Sequence, residues 1–226
     1  MYRWMLMPLL LLLWLPAVGR GKAAAAADFD ALMRKQGLVD VATLDPSITV
    51  DLKYSTTDNF VGRDMYGGLK KAYLYKATAQ SLLKALKQLQ AIDPKWSFIV
   101  YDAARPVSVQ RIMWNLVKGT DKQKYVASPH RGGPHNYGIA VDIGLTYDGR
   151  PVDMGTPFDS FTSDAHITDE PALVRQGRIS AEAMKNRQLL RKVLTDNGFF
   201  TYSREWWHFT RYNMTYVRKH IGLLDF

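Results

Sequence analysis

Four residues of this chain have the types and spacings that metal-assisted hydrolysis needs. His135 and Asp142 stand seven residues apart in PHNYGIAVDIGL, and Glu205 and His208 stand three apart in SREWWHF. Imidazole nitrogens and carboxylate oxygens are good zinc ligands, and a catalytic zinc takes three protein ligands while keeping a fourth position for water. His135, Asp142 and His208 would leave such a metal with net positive charge. Water bound to it then ionises near neutral pH, and Glu205 is the carboxylate that can accept the proton. The other histidines fit this role less well: His130 and His166 fall in loop-like sequence, and His220 sits on a terminal helix among basic neighbours, where it reads as a surface residue.

The elements that must carry these groups can be read from periodicity. In a strand over 138–145, alternate side chains point to opposite faces. One face is then Ile139, Val141, Ile143 and Leu145, and the other is Gly138, Ala140, Asp142 and Gly144. The aliphatic face must bury. The other face has open space around a single carboxylate, unlike the Lys, Thr and Glu of a solvated edge strand, which is the competing reading. His135 is an odd number of residues from Asp142, so it belongs in the incoming loop, bent back by Gly132, Gly133 and Pro134 on one side and Gly138 on the other. Glu205 and His208 also differ by an odd number. A regular strand would send them to opposite faces, so a shared site predicts a bulge or turn around Trp206 and Trp207.

Around these segments the chain alternates helices and strands without a regular strand–helix–strand repeat. Short helices are expected over DFDALMRKQG, capped by Asp28 and stopped by Gly37, and over the terminal MTYVRKHIG. Longer helices are expected over ATAQSLLKALKQLQAI, with Leu82, Leu83, Leu86 and Leu89 at helical spacing, from Pro106 or soon after to Gly119, and from a Ser180 cap to Gly198. Strands are expected over SITVDLKYS (47–55), WSFIVYD (96–102) and, as one long strand or a pair, FFTYSREWWHF (199–209). The segments TTDNFVGRDMYGGLKKAY, DKQKYVASPHRGGP and DGRPVDMGTPFDSFTSDAH read as loops. This is an α+β pattern: one domain with a central, mainly antiparallel sheet packed against helices.

Composition narrows the function classes. The 226 residues are 47% hydrophobic and 23% charged, ordinary for one globular domain. There is no cysteine, which removes thiolate mechanisms, cysteine-rich zinc sites and disulfides. Residues 1–27 have an early Arg3, an apolar run from Met5 to Leu15 that is short for a membrane span, then Pro16, small residues and an alanine run, the pattern of a secretory signal peptide. The alternative for this segment is an uncleaved anchor; a lipoprotein anchor would need a cysteine. The expectation is therefore an exported, periplasmic domain over 28–226, with no stable membrane insertion after cleavage. Without the three basic residues of that segment, 27 basic and 21 acidic residues remain, about +6. They are scattered and lack interleaved aromatic platforms, so nucleic acid is not an expected partner. The sequence carries no signal for an oligomeric state.

The metal-ligating pattern is more specific than spacing alone. GPHNYGIAVD followed by EWWH resembles the D-alanyl-D-alanine dipeptidase pattern S-x-H-x-x-G-x-A-x-D…E-x-W-H. DLKYSTTDNFVG, YDAARP and MGTPFDSF are also similar to dipeptidase sequence, so the resemblance spans roughly 45–215. That family belongs with zinc D,D-peptidases, which include D,D-carboxypeptidases and the hedgehog signalling domain. The resemblance implies their fold, one zinc ion per chain on His135, Asp142 and His208, and Glu205 as general base and later proton donor to the leaving amine. It also implies that Arg105 binds and polarises the scissile carbonyl, and that Asp102 makes a supporting or substrate-amine contact. One position departs: the serine two residues before the first histidine is Gly133 here. The expected activity is hydrolysis of D-Ala-D-Ala or a similar short D,D-dipeptide. The rivals are a D,D-carboxypeptidase trimming peptidoglycan stems and a non-catalytic zinc-fold binding module, which the presence of Glu205 and Arg105 disfavours.

Overall fold

The computed structural model describes residues 28–226; the expected signal peptide lies outside the described residues. In chain order the elements are α1 (Phe29–Lys35), β1 (Val39–Asp40), β2 (Thr49–Val50), β3 (Tyr73–Leu74), α2 (Lys76–Ile92), β4 (Trp96–Asp102), α3 (Val107–Val117), β5 (Ala140–Tyr147), β6 (Arg150–Pro151), α4 (Glu170–Arg175), α5 (Ala181–Asp196), β7 (Phe200–Tyr202), β8 (Glu205–Thr210) and α6 (Met214–His220). The main sheet runs β2-β4-β5-β8-β7, with β6 as a short hairpin partner of β5; β1 and β3 form a separate antiparallel pair. All pairings are antiparallel except β2 with β4. The fold is α+β, a mainly antiparallel sheet packed against helices, as the sequence pattern implies. Among the described residues, no helix is long and apolar enough to cross a membrane.

Helix ends follow their capping chemistry. Asp28 and Ser180 accept hydrogen bonds from the backbone of Ala31 and Ala183, satisfying orphan N–H groups of the first turns of α1 and α5. α3 starts directly after Pro106. Leu82, Leu86 and Leu89 of α2 join Leu190, Val193 and Leu194 of α5 against Val141, Ile143 and Leu145 of β5 in one core, while Leu83 is only half-buried. At about 25 cal/mol per Å² of apolar area removed from water, this layer is the main force holding β5 against the helices.

β5 has strands on both sides, so the edge-strand alternative fails: Asp142 is 4% exposed. The small-residue face is only partly open. A Cβ at Gly144 would lie 3.0 Å from the Tyr101 hydroxyl and 3.3 Å from Ile99, so that end is filled by the neighbouring strand. One other expectation needs correction. The segment 47–55 buries Ile48, Leu52 and Tyr54 in alternation, yet pairs in the sheet only at Thr49–Val50 and turns at Lys53–Ser55. Asn59 causes the departure: its amide donates to the carbonyls of Lys53, Thr56 and Arg63, drawing the chain into a loop. Of the two forms expected for 199–209, one long strand or a pair, the chain takes the pair, the hairpin β7–β8.

Candidate active site

Sheet register brings three strands to one point. Asp142 on β5 is paired with Asp102 on β4 and with His208 on β8. His135 arrives from a tight turn, Pro134–Tyr137, that ends at Gly138 with φ of +66°. An L side chain there would be strained, and its Cβ would approach the Tyr75 nitrogen to 3.1 Å, so glycine is needed to return the chain into β5. Asn136, fully buried, stitches this turn in place: its amide donates to the Arg105 carbonyl at 2.8 Å and its oxygen accepts from the Gly133 N–H at 2.8 Å.

His135 Nδ1 lies 2.7 Å from the Ala103 carbonyl oxygen. A carbonyl only accepts, so Nδ1 carries the proton and Nε2 presents a lone pair to the cavity. His208 is turned the other way: Nε2 meets Thr210 Oγ1 at 3.1 Å, and Nδ1 faces Asp142 Oδ1 at 2.9 Å. His135 Nε2 is 3.2 Å from His208 Nδ1 and 3.4 Å from Asp142 Oδ1. One donor atom from each of His135, Asp142 and His208 thus lies within 4.8 Å of the others. Burial by itself would raise the Asp142 carboxyl, but the two imidazoles hold it well below the ordinary carboxylate range. Burial likewise pulls His135 down, and the Asp142 carboxylate more than reverses this. Both shifts mean that the cluster favours a cation among its donors. Two imidazole nitrogens and a carboxylate oxygen, with no thiolate, form a candidate metal site that suits zinc.

Glu205 joins the cluster through an irregularity in β8. On the β5 side the ladder runs in regular register from His208 to Thr210. On the β7 side Thr201 faces Phe209 but the next residue, Tyr202, faces Glu205, so Trp206–His208 form the expected bulge. Glu205 Oε2 therefore lies 4.0 Å from His208 Nδ1. The two tryptophans fix the bend from both sides. Trp207 lines the cavity and packs on Phe158, while Trp206 turns away, donates to Thr156 Oγ1 at 2.8 Å and lies over the Arg187 guanidinium. Burial raises the Glu205 carboxyl to about 7, with Asp142 and Asp159 adding to the rise and His208 opposing it.

Arg105 reaches the same cavity and is held rigidly: Nε donates to Asp102 Oδ2 at 3.0 Å, Nη1 to Gln110 at 2.9 Å, and the guanidinium lies over the Tyr54 ring. Asp102 is off the cavity wall. It is fully buried, accepts from the Tyr66 hydroxyl at 2.6 Å and sits behind Arg105, a placement that fits the supporting one of the two contacts expected of it. At Gly133 a Cβ would meet the Cβ of Ala127 at 2.8 Å; the place of the family serine is closed by that neighbour. His130, His166 and His220 do not line the cavity, whose volume is about 390 Å³.

Sequence reasoning missed Asp159, which also lines this cavity and accepts the Tyr54 hydroxyl at 2.9 and 3.0 Å. Burial raises its carboxyl to about 7, Asp142 adding to the rise while Tyr54 and Arg105 oppose it. Its only sequence signal was membership of MGTPFDSF, since no spacing ties it to the ligands. Tyr54 was hidden by its alternation with Ile48 and Leu52, which reads as core.

Residues 34–224 match the Peptidase_M15 family, described as D-ala-D-ala dipeptidase. The chain is 31% identical to the D-alanyl-D-alanine dipeptidase of Escherichia coli strain K12 over 175 residues, covering 76% of this chain and 83% of that protein. It is 32% identical to the dipeptidase of the same name from Enterococcus faecium over 180 residues, covering 70% and 83% of the two chains. The corresponding Synechocystis protein is 30% identical over 182 residues, covering 67% and 73%. With a family match over nearly the whole described chain, and with two imidazoles and a carboxylate gathered beside a half-buried glutamate, this protein belongs to the D-ala-D-ala dipeptidase family of peptidases.

Proposed function

We propose that this protein is a zinc-dependent dipeptidase that hydrolyses D-Ala-D-Ala or a closely similar D,D-dipeptide. The observation that carries the reading is the convergence of His135 Nε2, Asp142 Oδ1 and His208 Nδ1 with Glu205 4.0 Å from His208. Those three side chains would hold the zinc, which when bound would supply positive charge and Lewis acidity.

The remaining work falls to the chain's own groups. Glu205, with a carboxyl near 7, takes the proton of the attacking water and returns it to the leaving amine. Arg105, fixed by Asp102 and Gln110, is a preorganised cation for the charge that develops on the carbonyl oxygen. A free dipeptide is a zwitterion. Asp159, held by Tyr54, is a carboxylate acceptor on the cavity wall for its ammonium, and Lys124 on the same wall is a cation available to its carboxylate. The segment 1–27 supports export, which puts the enzyme beside peptidoglycan and its D-Ala-D-Ala ends.

The test is hydrolysis of D-Ala-D-Ala, L-Ala-L-Ala and a stem pentapeptide, with chelator and after zinc is restored. Zinc-dependent turnover of the D,D-dipeptide alone is expected. Preference for the pentapeptide would make it a D,D-carboxypeptidase, and stoichiometric zinc without turnover a binding module.

A further inference from the structure

A second cavity, of about 480 Å³, lies against the first, and the two share only Phe60 and Asp159 among their lining residues. The second is walled by Asp51, Lys53, Asp58 and Tyr101, which belong to neither the ligand cluster nor the Arg105 anchor. Asp159 is tied by Tyr54. Phe60 is wedged between the rings of Tyr54 and Phe161, at centroid distances of 6.0 and 5.3 Å, both edge to face. The loop that carries it is held by Asn59, whose side chain makes five hydrogen bonds with the backbone of residues 53, 56, 61, 62 and 63.

We propose that Phe60, with Asp159, is the partition that limits the substrate to two residues, and that the cavity behind it gives room for one further N-terminal residue when the partition is shortened. The inference rests on the reading that Asp159 receives the substrate's ammonium. A peptide extended at that end must carry its chain past Asp159, and Phe60 is the other residue that stands in the walls of both cavities. The chemistry is unchanged: the amide bond to the C-terminal residue breaks, the acyl carbon gains the water oxygen, and the released amine gains the proton. Only the peptide length differs.

The experiment compares wild type, Phe60→Ala and the milder Phe60→Leu on D-Ala-D-Ala and Gly-D-Ala-D-Ala, with products identified by mass spectrometry. The ratio of kcat/KM for tripeptide over dipeptide should rise at least tenfold in Phe60→Ala and less in Phe60→Leu, releasing Gly-D-Ala and free D-Ala. Dipeptide turnover by the same variants shows that they are folded. An unchanged ratio, release of free glycine as the first product, or a wild type that already cleaves the tripeptide as well as the dipeptide would overturn the partition. If wild type hydrolyses neither peptide, the functional reading fails first, and the two failures are thereby told apart.

Discussion

Glu205 Oε2 and His208 Nδ1 lie 4.0 Å apart although the residues are separated by an odd number on one strand. The bulge at Trp206–His208 makes this possible, and it puts a carboxyl near 7 beside the ligand cluster. Glu205→Gln keeps the shape and removes the base. It is expected to lower kcat by about 10²–10⁴, the usual contribution of a general base, with zinc content by elemental analysis unchanged. Turnover at the wild-type rate would remove Glu205 from the mechanism.

Asp102 is fully buried and neutralises Arg105. Removing one partner of a buried ion pair strands the other charge, at a cost of about 3–5 kcal/mol. Asp102→Ala should therefore lower both denaturant stability and kcat. Arg105→Lys keeps the charge but lacks the planar fork that meets Asp102 and Gln110 together, so kcat should fall with a smaller loss of stability. Equal stability losses in the two variants would contradict this division.

Asp159 should give the Michaelis constant a pH dependence of its own. Its carboxyl sits at about 7, and only the ionised form attracts an ammonium, so KM should rise as pH falls below 7. In Asp159→Asn the KM profile should be flat there and high throughout. The stability sign is opposite. The folded protein holds this proton more tightly than the unfolded chain, so the contribution is full below about pH 4 and lost as pH rises through about 7. Chemical denaturation of wild type and Asp159→Asn at pH 5 and 8 checks it: the variant should lose less stability between the two.

Gly133→Ser restores the family residue but drives its Cβ into Ala127, 2.8 Å away. Overpacking of this kind costs about 1–3 kcal/mol, so the single variant should melt lower and bind dipeptide no better. Adding Ala127→Gly should recover the melting temperature. A stable single variant would show that the 126–134 segment yields easily.

Side-chain chemistry and local periodicity carried much of this protein in its sequence. The pairs His135–Asp142 and Glu205–His208, the aliphatic face of β5 and the capped helices were legible because each depends on residue type and a spacing of a few positions. The parity of 205 and 208 even required the bulge, since two side chains cannot share a site from opposite faces. What only the tertiary structure decided lies between segments far apart in the chain. Asp102 went behind Arg105 because Tyr66 and the guanidinium satisfy its carboxylate away from the cavity. Tyr54, from a segment that reads as core, met Asp159 across 105 positions, and Phe60 came to divide two cavities. Such contacts are set by how loops close over the sheet. That closure depends on side chains such as Asn59 capturing backbone groups, which leaves no periodic trace in the sequence.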